Sequence, residues 1–474
     1  MVRLRKSPMG FIVGALVALM LAAVSARPTA RPVHRRATAP SSDPFYQPPA
    51  GFASKEPGTI LRQRNVTVGF LGLIPDPVEA YQLLYRTTAV NGTAIATVTT
   101  VFKPQNAKTD RFISYHTAYD SSSTSCDPSY TYQIGGSQSD VVSSLELLII
   151  QAYLTLGYIV ASPDYEGPDA AFSPGHLEGM GVLDGMRAVN NFQETLGLSS
   201  ASPMIVGTGY SGGAIATGWA ASLQPSYAPE LDIKGWVQGG TPANLTGTLV
   251  FIDDTAFSGF LPPALVGLSA PSAYGAELSA LIDGVLTSEG RSVLDYARTH
   301  CAVEDILNFA EKSIFSTDVQ TMGIDLLYDS TIQSVLQKNV MGVNKTETPT
   351  APVFLYHASQ DEVIPYANAS ALADAWCDNG VSVKFTTFSS GGHATTEVLG
   401  LPDAINFVEA AFGGTTAQGC SRNSELISLL NPIALGAELE PILIKLLDAL
   451  ASLGEKDSKV QSNLDTLTDQ ISWS

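Results

Sequence analysis

The residues with the clearest chemical promise lie in the stretch from Pro203 to Gly213, where the apolar run Met204-Ile-Val206 leads into Gly207-Thr-Gly-Tyr-Ser-Gly-Gly213. A serine flanked by glycines, between a strand-like run and the small-residue helical segment Ala214 to Leu223, reads as a sharp strand-to-helix turn with an exposed hydroxyl at its tip. Gly209 and Gly213 would let strand and helix approach closely. Ser211 is therefore the leading nucleophile, and it needs a base to take its proton and an acid to hold that base in one tautomer.

Six histidines are available: His34, His116, His176, His300, His357 and His393. His34 falls in the leader, while His116 and His357 sit inside apolar strand-like runs and read as core histidines. His393 follows the strand-like Val381 to Phe388 and closes the glycine-rich loop Ser389 to His393, the place for a base at a strand end. For the acid, the apolar run from Ala351 to His357 ends in Ala358-Ser-Gln-Asp-Glu-Val-Ile-Pro365, which offers Asp361, with Glu362 as a rival expected to face solvent. The chain order Ser211, Asp361, His393 is the order used by α/β-hydrolases.

These segments, together with the loop Thr117-Ala-Tyr-Asp120, resemble the fungal secretory lipases of the yeast lipase A type, over roughly Phe45 to Cys420. The resemblance implies that Ser211, Asp361 and His393 form a triad, that no cofactor is needed, and that Asp120 and the backbone N–H of Gly212 make the oxyanion hole. An ionised carboxylate only accepts hydrogen bonds. Asp120 must therefore act through its backbone N–H, or as a neutral acid whose pKa burial has raised; the plainer role is capping the turn Ser121 to Thr124.

Four cysteines, Cys126, Cys301, Cys377 and Cys420, allow three pairings. The resemblance implies Cys126 with Cys301 and Cys377 with Cys420. No C-x-x-C spacing is present, so no metal site is expected. Sequons occur at Asn65, Asn91, Asn244, Asn344 and Asn368, each a glycosylation site if the chain is exported.

The start of the chain points to export: Arg3, Arg5 and Lys6 precede the apolar Phe11 to Val24, and Val24-Ser-Ala26 suits signal peptidase. The Pro- and Arg-rich segment that follows ends in Arg35-Arg36, a dibasic processing site. A formal charge of −19 with no basic stripe argues against a nucleic-acid partner, and the apolar leader is too short for a membrane span in the mature chain.

The elements that must position these residues read as strands at Ala94 to Phe102, Arg111 to His116, Tyr158 to Ser162, Met204 to Val206, Lys234 to Gly239, Val353 to His357 and Val383 to Phe388. Helices are predicted at Ser143 to Leu156 and Gly179 to Leu196. The alternation predicts an α/β fold: a mostly parallel sheet flanked by helices, with an inserted helical cap. The expected division is a signal peptide at 1–26, a propeptide at 27–36, a hydrolase core at 37–248 and 349–420, a cap or lid at 249–348, and a C-terminal amphipathic helix and tail at 421–474.

In the cap, Phe257 to Leu268 would either line an acyl pocket or form the cap's own core. The expected function is a secreted lipase that cleaves triacylglycerol esters through an acyl-enzyme, acting on a lipid or ester substrate at an oil–water interface. The alternatives are a short-chain esterase or deacetylase and, further off, a serine peptidase or an inactive binding protein on the same scaffold.

Overall fold

The computed structural model describes residues 36–70, 74–76, 78–137, 140–200, 202–389 and 391–425. The expected leader, up to residue 35, and the expected C-terminal helix and tail beyond residue 425 lie outside them. The strands are β1 (Ile60–Val66), β2 (Gly69–Phe70), β3 (Ile74–Pro75), β4 (Glu79–Thr88), β5 (Ala94–Lys103), β6 (Arg111–His116), β7 (Ile159–Pro163), β8 (Met204–Tyr210), β9 (Ile233–Gly239), β10 (Val353–Ala358), β11 (Val383–Phe388) and β12 (Ser421–Glu425). Strands β2 and β3 pair with each other, and the rest form one sheet in the order β1-β4-β5-β7-β6-β8-β9-β10-β11-β12.

The first three pairings across that sheet are antiparallel, and every pairing from β7 to β12 is parallel. A parallel sheet is covered on both faces, which explains why β7 and β10 are buried at every position and read as unbroken apolar runs. Successive side chains alternate between the faces. Phe112, Ile205, Trp236 and Leu355 join one core with the helices Gly175–Asn191 and Gly212–Tyr227. Their neighbours Ile113, Val206, Val237 and Phe354 join a second core with the helices Val141–Thr155 and His393–Phe412.

All seven expected strands are present. The helix expected from Gly179 begins four residues earlier, at Gly175, and is interrupted at Phe192 before a last turn, Gln193–Leu196, closed by Gly197 in the left-handed region at φ 69°. Strands β1 and β4 carry no expectation from sequence, and β12, paired with β11, lies in the stretch assigned to the C-terminal helix and tail. Between β9 and β10 the described chain is helical, with Leu245–Ile252, Leu261–Leu268, Gly275–Val285, Ser288–Ala297, Ala302–Phe309 and Ser330–Gln337. Several of these helices share a separate apolar core that includes Leu268, Leu278, Ile282, Leu294, Val335 and Leu336.

Two disulfides tie the parts together. Cys126–Cys301 links the loop region after β6 to the start of Ala302–Phe309, and Cys377–Cys420 links the helix Tyr366–Asp378 to the approach to β12. Among the described residues no helix is long and apolar enough to cross a membrane.

Candidate active site

The candidate residues converge because parallel strands deliver their following loops to one edge of the sheet. Ser211 follows β8, Asp361 follows β10, His393 follows β11 and Asp120 follows β6. Ser211 sits between β8 and the helix Gly212–Tyr227 with φ 51° and ψ −122°, a conformation that L-residues avoid. The turn tolerates no bulk around it: a Cβ at Gly209 would overlap the backbone of Gly213, and one at Gly213 would overlap the carbonyl oxygen of His116. That requirement is the physical content of the glycine pattern around the serine.

The imidazole of His393 lies 2.8 Å from Ser211 Oγ through Nε2 and 2.7 Å from Asp361 Oδ2 through Nδ1. Asp361 is itself fixed, since its Oδ1 accepts the N–H groups of Val363 at 2.9 Å and Ile364 at 2.7 Å. Burial works to raise the Asp361 carboxyl, but the charge and hydrogen bond of His393 outweigh it and hold the group below its ordinary value. Burial likewise works to lower His393, and Asp361, Glu362 and Glu397 outweigh it, so the imidazole titrates above its usual value. The other strand histidines stay neutral. His116, bonded to Thr217 and Ser114, is pushed by burial to about 3, and His357, lowered chiefly by burial, faces Ile364 O and Asp361.

Glu362 does not face solvent as expected. It is buried, and its Oε2 accepts the backbone N–H of His393 at 3.0 Å. The loop turns inward after Asp361 because Val363 and Ile364 pack with Ile252 and Leu261, which carries Glu362 into the site.

Asp120 is also buried, at φ 44°, and its Oδ1 has no hydrogen-bond partner, so that oxygen makes no cap for the following turn. Its carboxyl packs directly on Gly212, where a Cβ would overlap Oδ1. Burial, opposed by the charge of His393, pushes this carboxyl up to about 7, so it carries a proton to donate under mildly acidic conditions. Gly212 opens its helix, and the first N–H groups of a helix have no partner within it.

Ser211, His393, Asp120 and Glu362 border a cavity of about 470 Å³, roofed by Phe257, Phe260, Val303, Ile306 and Leu307. Ser211 also borders a narrow apolar space of about 30 Å³ lined by Leu245, Leu249 and Ile252. Leu249 also borders a further space of about 60 Å³ among Leu265, Leu268 and Leu278. Phe257 and Phe260 line the cavity, while Leu268 belongs to the helical core.

Three neighbours of the site escaped the sequence reading. Tyr210 Oη donates to His393 O at 2.6 Å. Glu146 accepts the N–H of Ala118 through both oxygens, at 3.1 and 3.0 Å, and Glu397 lines the same cavity. The signals were a lone acid inside the apolar helical run Leu145 to Ile150, and an acid four residues after His393 on one helix face. No cluster of three or more metal-ligating side chains occurs among the described residues.

A family model described as secretory lipase matches residues 132–419. The chain is 45% identical to the secreted triacylglycerol lipase LIP1 of Malassezia furfur over 85% of its length and 82% of that protein's. It is 41% identical to the secreted triacylglycerol lipase LIP3 of Malassezia restricta over 79% and 80%. The fold superposes on the closed state of Candida antarctica lipase A with a TM-score of 0.78 at 31% identity, covering 86% of this chain and 96% of that one. The chain therefore belongs to the secretory lipase family and is a secreted carboxylic-ester hydrolase of the α/β-hydrolase fold.

Proposed function

We propose that this enzyme is a triacylglycerol lipase in which Ser211 is the nucleophile, His393 the general base and acid, and Asp361 the residue that orients and charge-stabilises the imidazole. The observation that carries the reading is the continuous hydrogen-bonded line from Ser211 Oγ through His393 to Asp361, opening on a largely apolar cavity. The substrate class is supported by relatives named as triacylglycerol lipases.

Ser211 attacks the ester carbonyl as its proton passes to His393 Nε2. The developing oxyanion is held by Gly212 N–H and the protonated carboxyl of Asp120. His393 then protonates the departing glycerol oxygen, and water activated by the same imidazole releases the fatty acid and restores Ser211. The helical insertion at 249–348 serves as a cap, with Phe257, Phe260 and Leu307 over the serine and Leu249 directing an acyl chain inward. Leu307 is 56% exposed at the cavity rim, which suits entry from an oil surface.

The test is hydrolysis of p-nitrophenyl esters from acetate to palmitate, beside emulsified triacylglycerol, by the secreted enzyme and its Ser211→Ala variant. Serine-dependent activity on long chains and on the emulsion is expected. Activity confined to acetate would replace the lipase reading with a short-chain esterase, and activity that survived the substitution would remove Ser211 from the mechanism.

A further inference from the structure

His393 is the first residue of the helix His393–Phe412, and the residue before it, Gly392, has no side chain with which to satisfy the opening N–H groups. Gly392 N–H donates instead to Thr395 Oγ1 at 2.9 Å. The N–H of His393 itself is taken from outside the helix, by Glu362 Oε2 at 3.0 Å. On the carbonyl side, Tyr210 Oη donates to His393 O at 2.6 Å, and its ring packs on the imidazole with centroids 5.0 Å apart. Asp361, the neighbour of Glu362, holds the ring through Nδ1. Two adjacent carboxylates on one loop therefore grip the same histidine, one by its ring and one by its backbone.

We propose that Glu362 is a positioning residue for ester cleavage: it fixes His393 through the backbone N–H and places a second negative charge beside the imidazole that must accept the Ser211 proton. The inference rests on the triad reading given above. An acid at a helix N-terminus could serve as a cap alone, but this one is buried and borders the cavity that holds Ser211 and His393.

The titratable groups facing His393 from each neighbouring element are few. The loop after β10 contributes Asp361 and Glu362, β10 contributes His357, the end of β8 contributes Tyr210 and the loop after β6 contributes Asp120. Its own helix contributes Glu397, whose charge also raises Glu146 on Val141–Thr155. His357 is lowered and the Tyr210 phenol raised, both chiefly by burial, and this keeps them neutral. Asp120 and Glu397 are each pushed up to about 7 by burial. Glu362 is raised by burial against the opposing charge of His393, so it gains most from being ionised when the imidazole is protonated. That is the state His393 enters as Ser211 attacks.

The experiment is kcat/KM against pH, from about 4 to about 9, on one soluble p-nitrophenyl ester for wild type, Glu362→Gln and Glu362→Ala, with active sites counted by a serine-reactive phosphonate. Glu362→Gln keeps an oxygen to accept the His393 N–H and loses the charge. Its acid limb is expected to move to lower pH by about half a unit or more, because the imidazolium is no longer stabilised by that carboxylate. Glu362→Ala, which loses the acceptor too, should show the same shift with kcat down about tenfold or more and KM little changed. An acid limb of Glu362→Gln within about 0.2 units of wild type would overturn the proposal and leave Glu362 a helix cap. Should Glu362→Ala fail to label with phosphonate, Glu362→Gln alone decides. Retained activity in Ser211→Ala would instead overturn the triad reading, so the two failures are distinguishable.

Discussion

Replacing Asp120 by Asn tests whether a neutral carboxylic acid stabilises the oxyanion. In the wild type the group titrates at about 7 because it is buried beside Gly212, with Oδ1 lacking any partner. A group with that value is about nine-tenths protonated at pH 6 and about one-tenth at pH 8. Only the protonated form can donate, and one oxyanion donor is typically worth about 10² to 10³ in turnover. The wild-type rate should therefore fall above pH 7, approaching about tenfold per unit.

An Asn side chain has nearly the same shape, tolerates the positive φ of 44° at this position, and donates through its amide at every pH. Asp120→Asn is expected to keep turnover and lose the alkaline limb. Asp120→Ala should lose about 10² to 10³ in kcat near pH 6. The assay is kcat against pH on a soluble ester from about 5 to about 9, with phosphonate-counted sites. An unchanged alkaline limb in Asp120→Asn, or near-normal turnover in Asp120→Ala, would refute the neutral-acid argument and assign the donation to the Asp120 backbone N–H.

Four other outcomes are expected. Asp120, Asp140, Asp164 and Glu397 are each raised to about 7 by burial and Asp305 to about 8; the folded state therefore binds more protons than the unfolded chain, and stability should fall as pH rises from about 4 to about 8. His393, raised as well, acts in the same direction, while the lowered Asp361 opposes it at the acid end and the lowered His116 and His357 oppose it below about 6.5; the raised carboxyls outnumber these, and a Tm higher at pH 8 than at pH 5 would contradict this. Removing Cys126–Cys301, which closes a separation of 175 residues, should cost about 5 kcal/mol by loop-closure entropy, against about 4 kcal/mol for Cys377–Cys420 with 43, as read by thermal unfolding of the paired Ser variants. Leu249→Trp, at the junction of the two narrow apolar spaces, should lower kcat/KM for palmitate esters at least tenfold more than for acetate; equal losses on both would show that the chain takes another route. Mass analysis of glycopeptides should find glycan at the exposed Asn91 and Asn344, each in a turn with its sequon threonine, and none at Asn368, whose Nδ2 is buried.

Much of the site was readable before any fold was known, because its chemistry imposes local rules. A serine on a strained turn needs glycines where backbone meets backbone, and Gly209 and Gly213 stand there. A base and an acid at strand ends follow apolar runs, and β10 and β11 are such runs since both faces of the sheet are covered. The inner parallel strands were legible for the same reason. The edge strands β1 and β12, and β4 beside β1, were not: β1 alternates with arginine, glutamine and asparagine, β4 buries Gln82, and Ser421-Arg-Asn-Ser-Glu425 of β12 has no apolar residue. Their place comes from main-chain pairing with a neighbouring strand, which leaves no mark on side-chain type.

The local sequence of this protein thus determined the layered α/β core and singled out the proposed nucleophile and the order of its proposed partners, since these depend on backbone strain and hydrophobic periodicity over a few residues. Only the tertiary structure decided that Glu362 turns inward to His393, that Asp120 is buried enough to keep a proton, and that Glu146 and Glu397 share the cavity wall. Those properties arise from desolvation and from charges brought together from distant positions, and both exist only once the loops at the sheet edge have closed around one another.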